Sequence, residues 1–423
     1  MKQNTPPPVC FFVLILLGIW LISAPCTFDF ESHPVIYSDL ICGTLITCLA
    51  ILGRKKPTTS LLWTIAGIGL YLQAAPLLFW APSVGAYLNN IVIGSLIIVV
   101  SVLLFPMPNQ IPDDEPTIPP GWTYNPSSWP QRLPIALFVF FCWVITKYLA
   151  ARQLGYIDTV WDPFFDPGTE EVLTSSVSQF FPVSDAGLGA LAYTLEFLLT
   201  CQGGKARWRT SPWGVLVFGL LAVPVSLVSV ILIILQPLIV GTWCTLCLVT
   251  AFCMLIPIPL AIDEVIASLQ YLRRTKTQPF LKLLFKGGED PEAKEDTRTP
   301  PLTDSVRNIV QASLWGVIFP WNISVSALLG IGLMSLPSAL SIEGILFDVD
   351  PILGALTVVI SVLSYSEWLH SIRYLNLIWA ITLFICSWFS SVYIVLHLAI
   401  AIAIGFLCLK KGNLKELHAD HSM

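Results

Sequence analysis

Apolar runs of about 17–25 residues recur from one end of this chain to the other, each long enough to cross the hydrocarbon core of a bilayer. Such a chain has few structural choices. With no water to satisfy its backbone N–H and C=O groups, a spanning segment must be a helix or part of a closed barrel, and runs of this length select helices. The spans are read at 9–25, 36–52, 61–80, 88–106, 133–151, 186–202, 213–236, 239–261, 321–340, 350–366, 373–389 and 392–409. The predicted fold class is all-α integral membrane, with about twelve transmembrane helices. Composition agrees: 55% of residues are hydrophobic and 12% charged, about half the charge of a soluble domain. A net charge of −5 leaves no basic footprint for nucleic acid. Many of the 15 tryptophans sit near segment ends, as interfacial anchors do. Lys2 followed by an apolar run to Cys26 has the outline of a secretory signal, but Pro25 makes a poor cleavage site, so the segment is expected to be retained.

Basic clusters set the orientation. Arg54, Lys55 and Lys56 follow span two; Lys205, Arg207 and Arg209 follow span six; Arg273, Arg274 and Lys276 follow span eight. Arg373 precedes span eleven, and Lys410 and Lys411 follow span twelve. All lie after even-numbered spans, which predicts cytoplasmic termini in a bacterial inner membrane. The longest outside loop is then 152–185, with an interfacial Trp161-Asp162-Pro163-Phe164-Phe165 and a short helix within 169–181.

The chain repeats itself. Gly18, Pro25, Asp39 and Gly43 recur as Gly69, Pro76, Asn90 and Gly94, at an offset of 51 throughout. Gly330, Pro337, Asp350 and Gly354 form a third copy, and a degraded fourth runs from Trp379 through His397. Each unit reads as a helix ending at Pro, an outside turn, and a helix opened by an Asp or Asn cap. As caps, Asp39, Asn90 and Asp350 need no further function. The pattern resembles the SPW-repeat membrane family over residues 10–105 and 322–408, which implies a paired-helix membrane module.

Composition shifts divide the chain into an N-terminal repeat module (1–106), a Pro-rich cytoplasmic linker (107–130, with Asp113, Asp114 and Glu115), a distinct four-helix unit (131–270), a charged linker (271–310), a C-terminal repeat module (311–410) and a tail (411–423). Residues 287–304 read as disordered, and the amphipathic 280–286 as lying on the inner membrane surface.

The chemistry lies in Trp243-Cys244-Thr245-Leu246-Cys247, at the outer start of span eight. A lone Cys-x-x-Cys is a weak signal among 11 cysteines. Its position strengthens it. Residues three apart share a helix face and can form a disulfide, and a helix N-terminus favours the thiolate. A dithiol gives up two electrons on closing to a disulfide, and a quinone takes two on becoming a quinol. Buried structural cysteines are the competing reading.

Residues 134–270 resemble the vitamin K epoxide reductase family. The resemblance is carried by Trp161 through Phe165, by Phe181-Pro182-Val183-Ser184-Asp185-Ala186-Gly187-Leu188-Gly189, by Tyr193 and Glu196, and by Trp243 through Cys247. It implies a four-helix bundle around a quinone such as ubiquinone or menaquinone. By this resemblance Cys247 is nearest the quinone and Cys244 exchanges with the electron donor, a thioredoxin-like protein or a small thiol. Ser184, Asp185, Tyr193 and Trp243 are the implied quinone-binding residues, Asp185 facing a quinone oxygen. The chain departs from the family pattern in having no Cys between Cys142 and Cys201, where the family usually carries a relaying loop pair. It also has Ala251 where some members have Tyr.

Cys26, Cys142, Cys201 and Cys253 read as packing residues. His33, His370, His397, His418 and His421 show no metal-ligand spacing, so no metal is expected. Asp263 and Glu264 read as interfacial. The sequence thus points to a membrane thiol:quinone oxidoreductase; a non-catalytic scaffold or quinone/lipid-binding module is the alternative. A transporter ranks third, because charges are nearly absent from span centres, Glu196 being the main exception.

Overall fold

The computed structural model describes residues 6–28, 30–104, 116–276, 278–340, 342, 344–388 and 393–410. The acidic run 113–115, the turn at Ser390 and the tail from 411 lie outside the described residues. Four helices come first: α1 (Pro8–Phe28), α2 (His33–Lys55), α3 (Thr59–Leu78) and α4 (Val84–Ile98), the last prolonged by a π-helical turn, Val99–Leu103. The central region holds α5 (Trp129–Gln153), the short α6 (Gly168–Thr174), α7 (Asp185–Cys201), α8 (Arg207–Thr210), α9 (Pro212–Leu235), α10 (Thr245–Leu255) and α11 (Pro257–Arg274). Two short helices, α12 (Phe280–Lys286) and α13 (Val306–Ser313), lead to α14 (Trp321–Leu340), α15 (Ile345–Leu363), α16 (Asn376–Ser387) and α17 (Ile394–Leu409).

The protein is all-helical and integral to a membrane. Among the described residues, nine helices are long and apolar enough to cross one, with α4 and α9 each including a π-helical turn and α10–α11 forming one run. The other three expected spans are also helical, but α7, α16 and α17 have only 17, 12 and 16 residues. Span eight runs on to Arg274, beyond the expected limit at 261. Pro257 permits this because it sits in the first turn of α11, where its missing N–H leaves no bond unmade. Asp263 and Glu264 therefore lie within a helix and are buried, not interfacial.

The repeats have a common physical meaning. Apolar side chains gain little from leaving lipid for a helix interface, so membrane helices pair where small residues let backbones approach. A Cβ added to Gly43 would stand 2.6 Å from the Gly18 carbonyl oxygen. One on Gly94 would stand 2.5 Å from that of Gly69, and one on Gly354 2.6 Å from that of Gly330. Three glycine pairs thus make three equivalent crossings: α1 on α2, α3 on α4, and α14 on α15. In α16 and α17 the corresponding approach is looser, with Gly405 facing Ala380.

The acidic and amide residues of the repeats are not caps. Ser32, Ser83 and Gly344 precede the helices, so Asp39, Asn90 and Asp350 lie inside them. All three are fully buried. Asn90 Nδ2 donates to Asp39 Oδ1 at 2.8 Å, joining the first two copies. His397 Nε2 meets Asp350 Oδ2 at 2.8 Å, joining the last two. A charge that interrupts an apolar run resembles a boundary in sequence, but a buried partner lets the helix continue past it.

The linkers also depart from expectation. Residues 287–304 are ordered against the first linker: Ile118 and Lys294 form an antiparallel bridge. Asp290 pairs with Arg274, and Gly288 N–H donates to the Arg209 carbonyl at 3.1 Å. Charge-rich composition favours disorder when nothing ties the segment down, and here the Asp290 pair and the backbone bridge do so. In α12, Leu283 is buried while Phe280, Leu281 and Phe285 are exposed.

Candidate functional site

Helices α5, α7, α9 and α10 pack on one another and enclose a cavity of about 370 Å³. The cysteine helix starts at its edge. A π-helical turn, Gln236–Val240, ends at Gly241, whose positive φ of 82° turns the chain back toward α10. Gln236, the first residue of this turn, is buried, and its Oε1 accepts from the Cys244 N–H at 3.0 Å. Cys244 caps α10, its sulfur accepting from the Cys247 N–H at 3.1 Å. The two sulfurs lie at disulfide distance, with Cα atoms 5.3 Å apart. Cys244 is completely buried. Cys247 is only partly buried and lines the cavity.

The long loop is fastened to this end by Asp162. Its carboxylate accepts from the Thr169 N–H at 2.9 Å and the Thr169 hydroxyl at 2.6 Å, and also from the Thr245 hydroxyl. The Phe164 and Phe165 N–H groups donate to it at 3.1 and 2.9 Å. Burial pushes this carboxyl up, but the hydrogen bonds from Thr169, Thr245 and the two amides outweigh it and hold the group below the usual carboxylate range. The loop approaches residues 242–245 so closely that a Cβ on Gly168 would lie 2.3 Å from the Trp243 carbonyl oxygen.

At the other edge of the cavity, Ser184 caps α7 by accepting from the Gly187 N–H at 2.9 Å. Its own hydroxyl donates to Gln153 Oε1 at 2.6 Å. Gln153 Nε2 in turn donates to Asp185, which also accepts from the Ser178 hydroxyl at 2.9 Å. Asp185 and Tyr193 line the cavity together with Cys247. One sulfur of a cysteine pair at disulfide distance, a carboxyl group and a phenol thus converge on one largely apolar chamber. Residues 133–262 match the vitamin K epoxide reductase family. Residues 10–104 match the SPW repeat domain. No curated protein and no solved structure matches the chain.

Within the vitamin K epoxide reductase domain, the structure gathers only some of the residues singled out by sequence. Cys247, Asp185 and Tyr193 share the chamber, while Ser184 stands beside it, lining an adjoining cavity. Trp243 lines a third cavity, between this domain and α14–α15. Gln153, Ser178 and Gln236 escaped sequence reading. The available signal was slight: an amide closing an apolar run, as Gln153 and Gln236 both do.

Neighbouring elements hold the domain in place. Trp80 Nε1 donates to the Pro182 carbonyl at 3.0 Å, and the Tyr156 hydroxyl to that of Ala81 at 2.6 Å. At the end far from the cysteines, Arg207 and Glu264 form a buried ion pair at 2.5 Å. Arg132 donates to the carbonyls of Gln202 and Gly203 at 2.7 and 3.0 Å, closing the C-terminus of α7. The Tyr124 hydroxyl donates to Asp263 at 2.5 Å; burial and that carboxylate push the phenol well above its ordinary range.

Proposed function

We propose that the protein is a membrane thiol:quinone oxidoreductase of the vitamin K epoxide reductase type, with twelve membrane passes and a central four-helix bundle flanked by two repeat modules. The family is quinone-linked in general. The single observation carrying the reading is that Cys247 opens into the chamber with Asp185 and Tyr193 while Cys244 stands behind it at disulfide distance. The chamber's volume lies within the range of small-molecule sites, and its apolar lining with a few polar groups suits a quinone ring. The Tyr193 hydroxyl would donate to one quinone oxygen. Asp185, already fixed by Gln153 and Ser178, would set the position of the other. Trp243 would border the ring's approach from the neighbouring cavity, and Ser184 would hold the start of α7.

In the reductive half-reaction the Cys244 and Cys247 thiols lose two electrons and two protons. They close to a disulfide, and the quinone leaves as a quinol. In the return step a donor thiolate attacks the Cys244 sulfur and releases Cys247; a second donor thiol then frees Cys244. Because Cys244 is buried, the loop fastened by Asp162 must lift before a thioredoxin-like protein or small thiol can reach it. The proposed setting is a bacterial inner membrane with cytoplasmic termini and the cysteine pair at the outer face, as the basic loops suggest.

Cys247→Ala in the full chain should abolish thiol-dependent reduction of a short-tailed quinone by purified protein; undiminished turnover would overturn the reading. One observation favours a non-catalytic quinone- or lipid-binding module instead: no cysteine lies between Cys142 and Cys201 to relay electrons to a buried Cys244. Trapping thiols in intact membranes separates the two. An enzyme cycles the pair as quinone supply changes, whereas a binding module keeps it in one state.

A further inference from the structure

A second cavity, of about 350 Å³, lies between α9 and α10 on one side and α14 and α15 on the other, with Phe165 and Trp243 also in its wall. Ile233 on α9 and Ala251 on α10 line both this cavity and the chamber that Cys247 opens into. The seam between α9 and α10 is therefore a wall common to the two spaces. At Ala251, α10 contributes only a methyl group to it.

The chemistry of the second cavity is one-sided. Among the described residues lining it, side-chain nitrogen and oxygen come only from the Trp243 indole and the Ser335 hydroxyl. Ser335 donates that hydroxyl to the Gly332 carbonyl of its own helix at 2.8 Å. Little is left to hold a headgroup or an ion, whereas a hydrocarbon chain meets nothing it would desolvate. The outer wall is fixed, because α14 and α15 cross at Gly330 and Gly354, each one residue before a lining side chain, Ile331 and Ala355. Phe252 and Ile331 are about half exposed, so the cavity opens toward the surrounding lipid. Membrane helices associate through close packing, and a void between them forfeits those contacts unless an apolar chain fills it.

We propose that the second cavity binds the isoprenoid tail of the quinone, which passes through the seam between Ile233 and Ala251 while the ring sits in the chamber. A quinone dissolved in the bilayer enters ring first and trails its tail through the opening it used. A tail leaving the chamber by this seam meets Met334, Ala355 and Val358 of the outer wall, then reaches lipid past Phe252 and Ile331. Lipid is as apolar as these side chains, so the tail gains little affinity by entering. What the site supplies is alignment of the ring against Cys247, Asp185 and Tyr193. The C-terminal module thereby becomes part of substrate binding, and the substrate class narrows to quinones with an isoprenoid tail. This inference rests on reading the chamber as a quinone site.

The test compares two quinones of identical ring, one tailless and one carrying a few isoprene units, using the purified full chain in detergent with a small dithiol as reductant. Ala355→Phe and Ser335→Phe each fill the second cavity from a helix outside the cysteine domain. Either should lower kcat/KM for the tailed quinone by about tenfold or more, the order that a misfit methylene costs in an apolar pocket, and leave turnover of the tailless one unchanged. Comparison with the unaltered chain at the same detergent concentration cancels partition of the tailed quinone into micelles. Loss with neither quinone, or equal loss with both, in both variants overturns the proposal. A second measurement needs no variant: the unaltered chain is illuminated with a quinone bearing a diazirine within its tail. Label is expected on α14 and α15, suppressed by excess unlabelled tailed quinone. Label confined to other helices, or suppressed by phospholipid and not by quinone, overturns the proposal, the latter marking the cavity as lipid-filled. If the unaltered chain reduces tailless quinone while these signals fail, only the tail site is refuted; if it reduces neither quinone, the quinone reading falls as well.

Discussion

The two ends of the vitamin K epoxide reductase domain are built on different terms. At the end far from the cysteines, charges are buried and matched. Arg207 pairs with Glu264, which also accepts from the Ser127 hydroxyl at 2.5 Å. Arg132 binds the open carbonyls of α7, and the linkers close over them. At the cysteine end, one carboxylate fastens the loop. The ion pair there, Arg152 with Glu170, is partly exposed, and Trp161, Phe164 and Phe180 face outward. The difference shows where motion is affordable. Thiol exchange needs access to Cys244, and only the cysteine end can open without leaving a charge buried alone.

This contrast can be broken by measurement. The largest effect is expected from Glu264→Ala, which strands Arg207 inside the protein. Removing one partner of a buried pair costs about 3–5 kcal/mol, read as a lowered unfolding midpoint in detergent. Next comes Asp162→Asn. Losing charge-assisted hydrogen bonds to Thr169 and Thr245 should cost roughly 1–3 kcal/mol. It should also speed reaction of a reduced Cys244 with a soluble thiol reagent, a readout that Glu264→Ala lacks if the far end is sealed.

The Asp162 effect has a pH signature. The folded group titrates below its unfolded value of about 3.9, because hydrogen bonds favour its charged form. Its contribution is therefore fully present above that value and lost as pH falls through the depressed folded pKa. The stability gap between the unaltered chain and Asp162→Asn should stay constant from neutral pH to about pH 5 and shrink below about pH 4. A gap that closes near neutrality would show that some other group governs the loop. The smallest effect belongs to Arg152→Ala, at about 0.2–1 kcal/mol, as for exposed ion pairs. If that variant lost as much stability as Glu264→Ala, the two ends would not differ as described.

Much of this was legible in the sequence. Apolar runs of spanning length gave helices long and apolar enough to cross a membrane at nine of the twelve expected positions among the described residues, because a bilayer leaves the backbone almost no alternative. The fixed spacing of Gly18, Gly43, Gly69 and Gly94 marked the repeat, though not that these glycines are where the helices cross. Cys244 and Cys247 were readable because their pairing is local. The pairings that were not readable join residues far apart in the chain. Nothing in the sequence connects Arg207 to Glu264 or Arg132 to the carbonyls that end α7, since each depends on which helix faces meet. Residues 287–304 looked disordered because Ile118, which bridges to Lys294, is distant.

The bridge between Ile118 and Lys294 also bears on how the protein is made. It cannot close until every residue between them has left the ribosome. The central spans must therefore be delivered to the bilayer before their clasp exists. Until Tyr156 and Pro182 emerge and join Ala81 and Trp80, the first module has only its own contacts to rely on, the glycine crossings and the Asp39–Asn90 link, all of which lie upstream of the bridge. Assembly would then run in two phases: an early one complete within the first hundred residues or so, and a late one that waits for the second linker to lock the central domain.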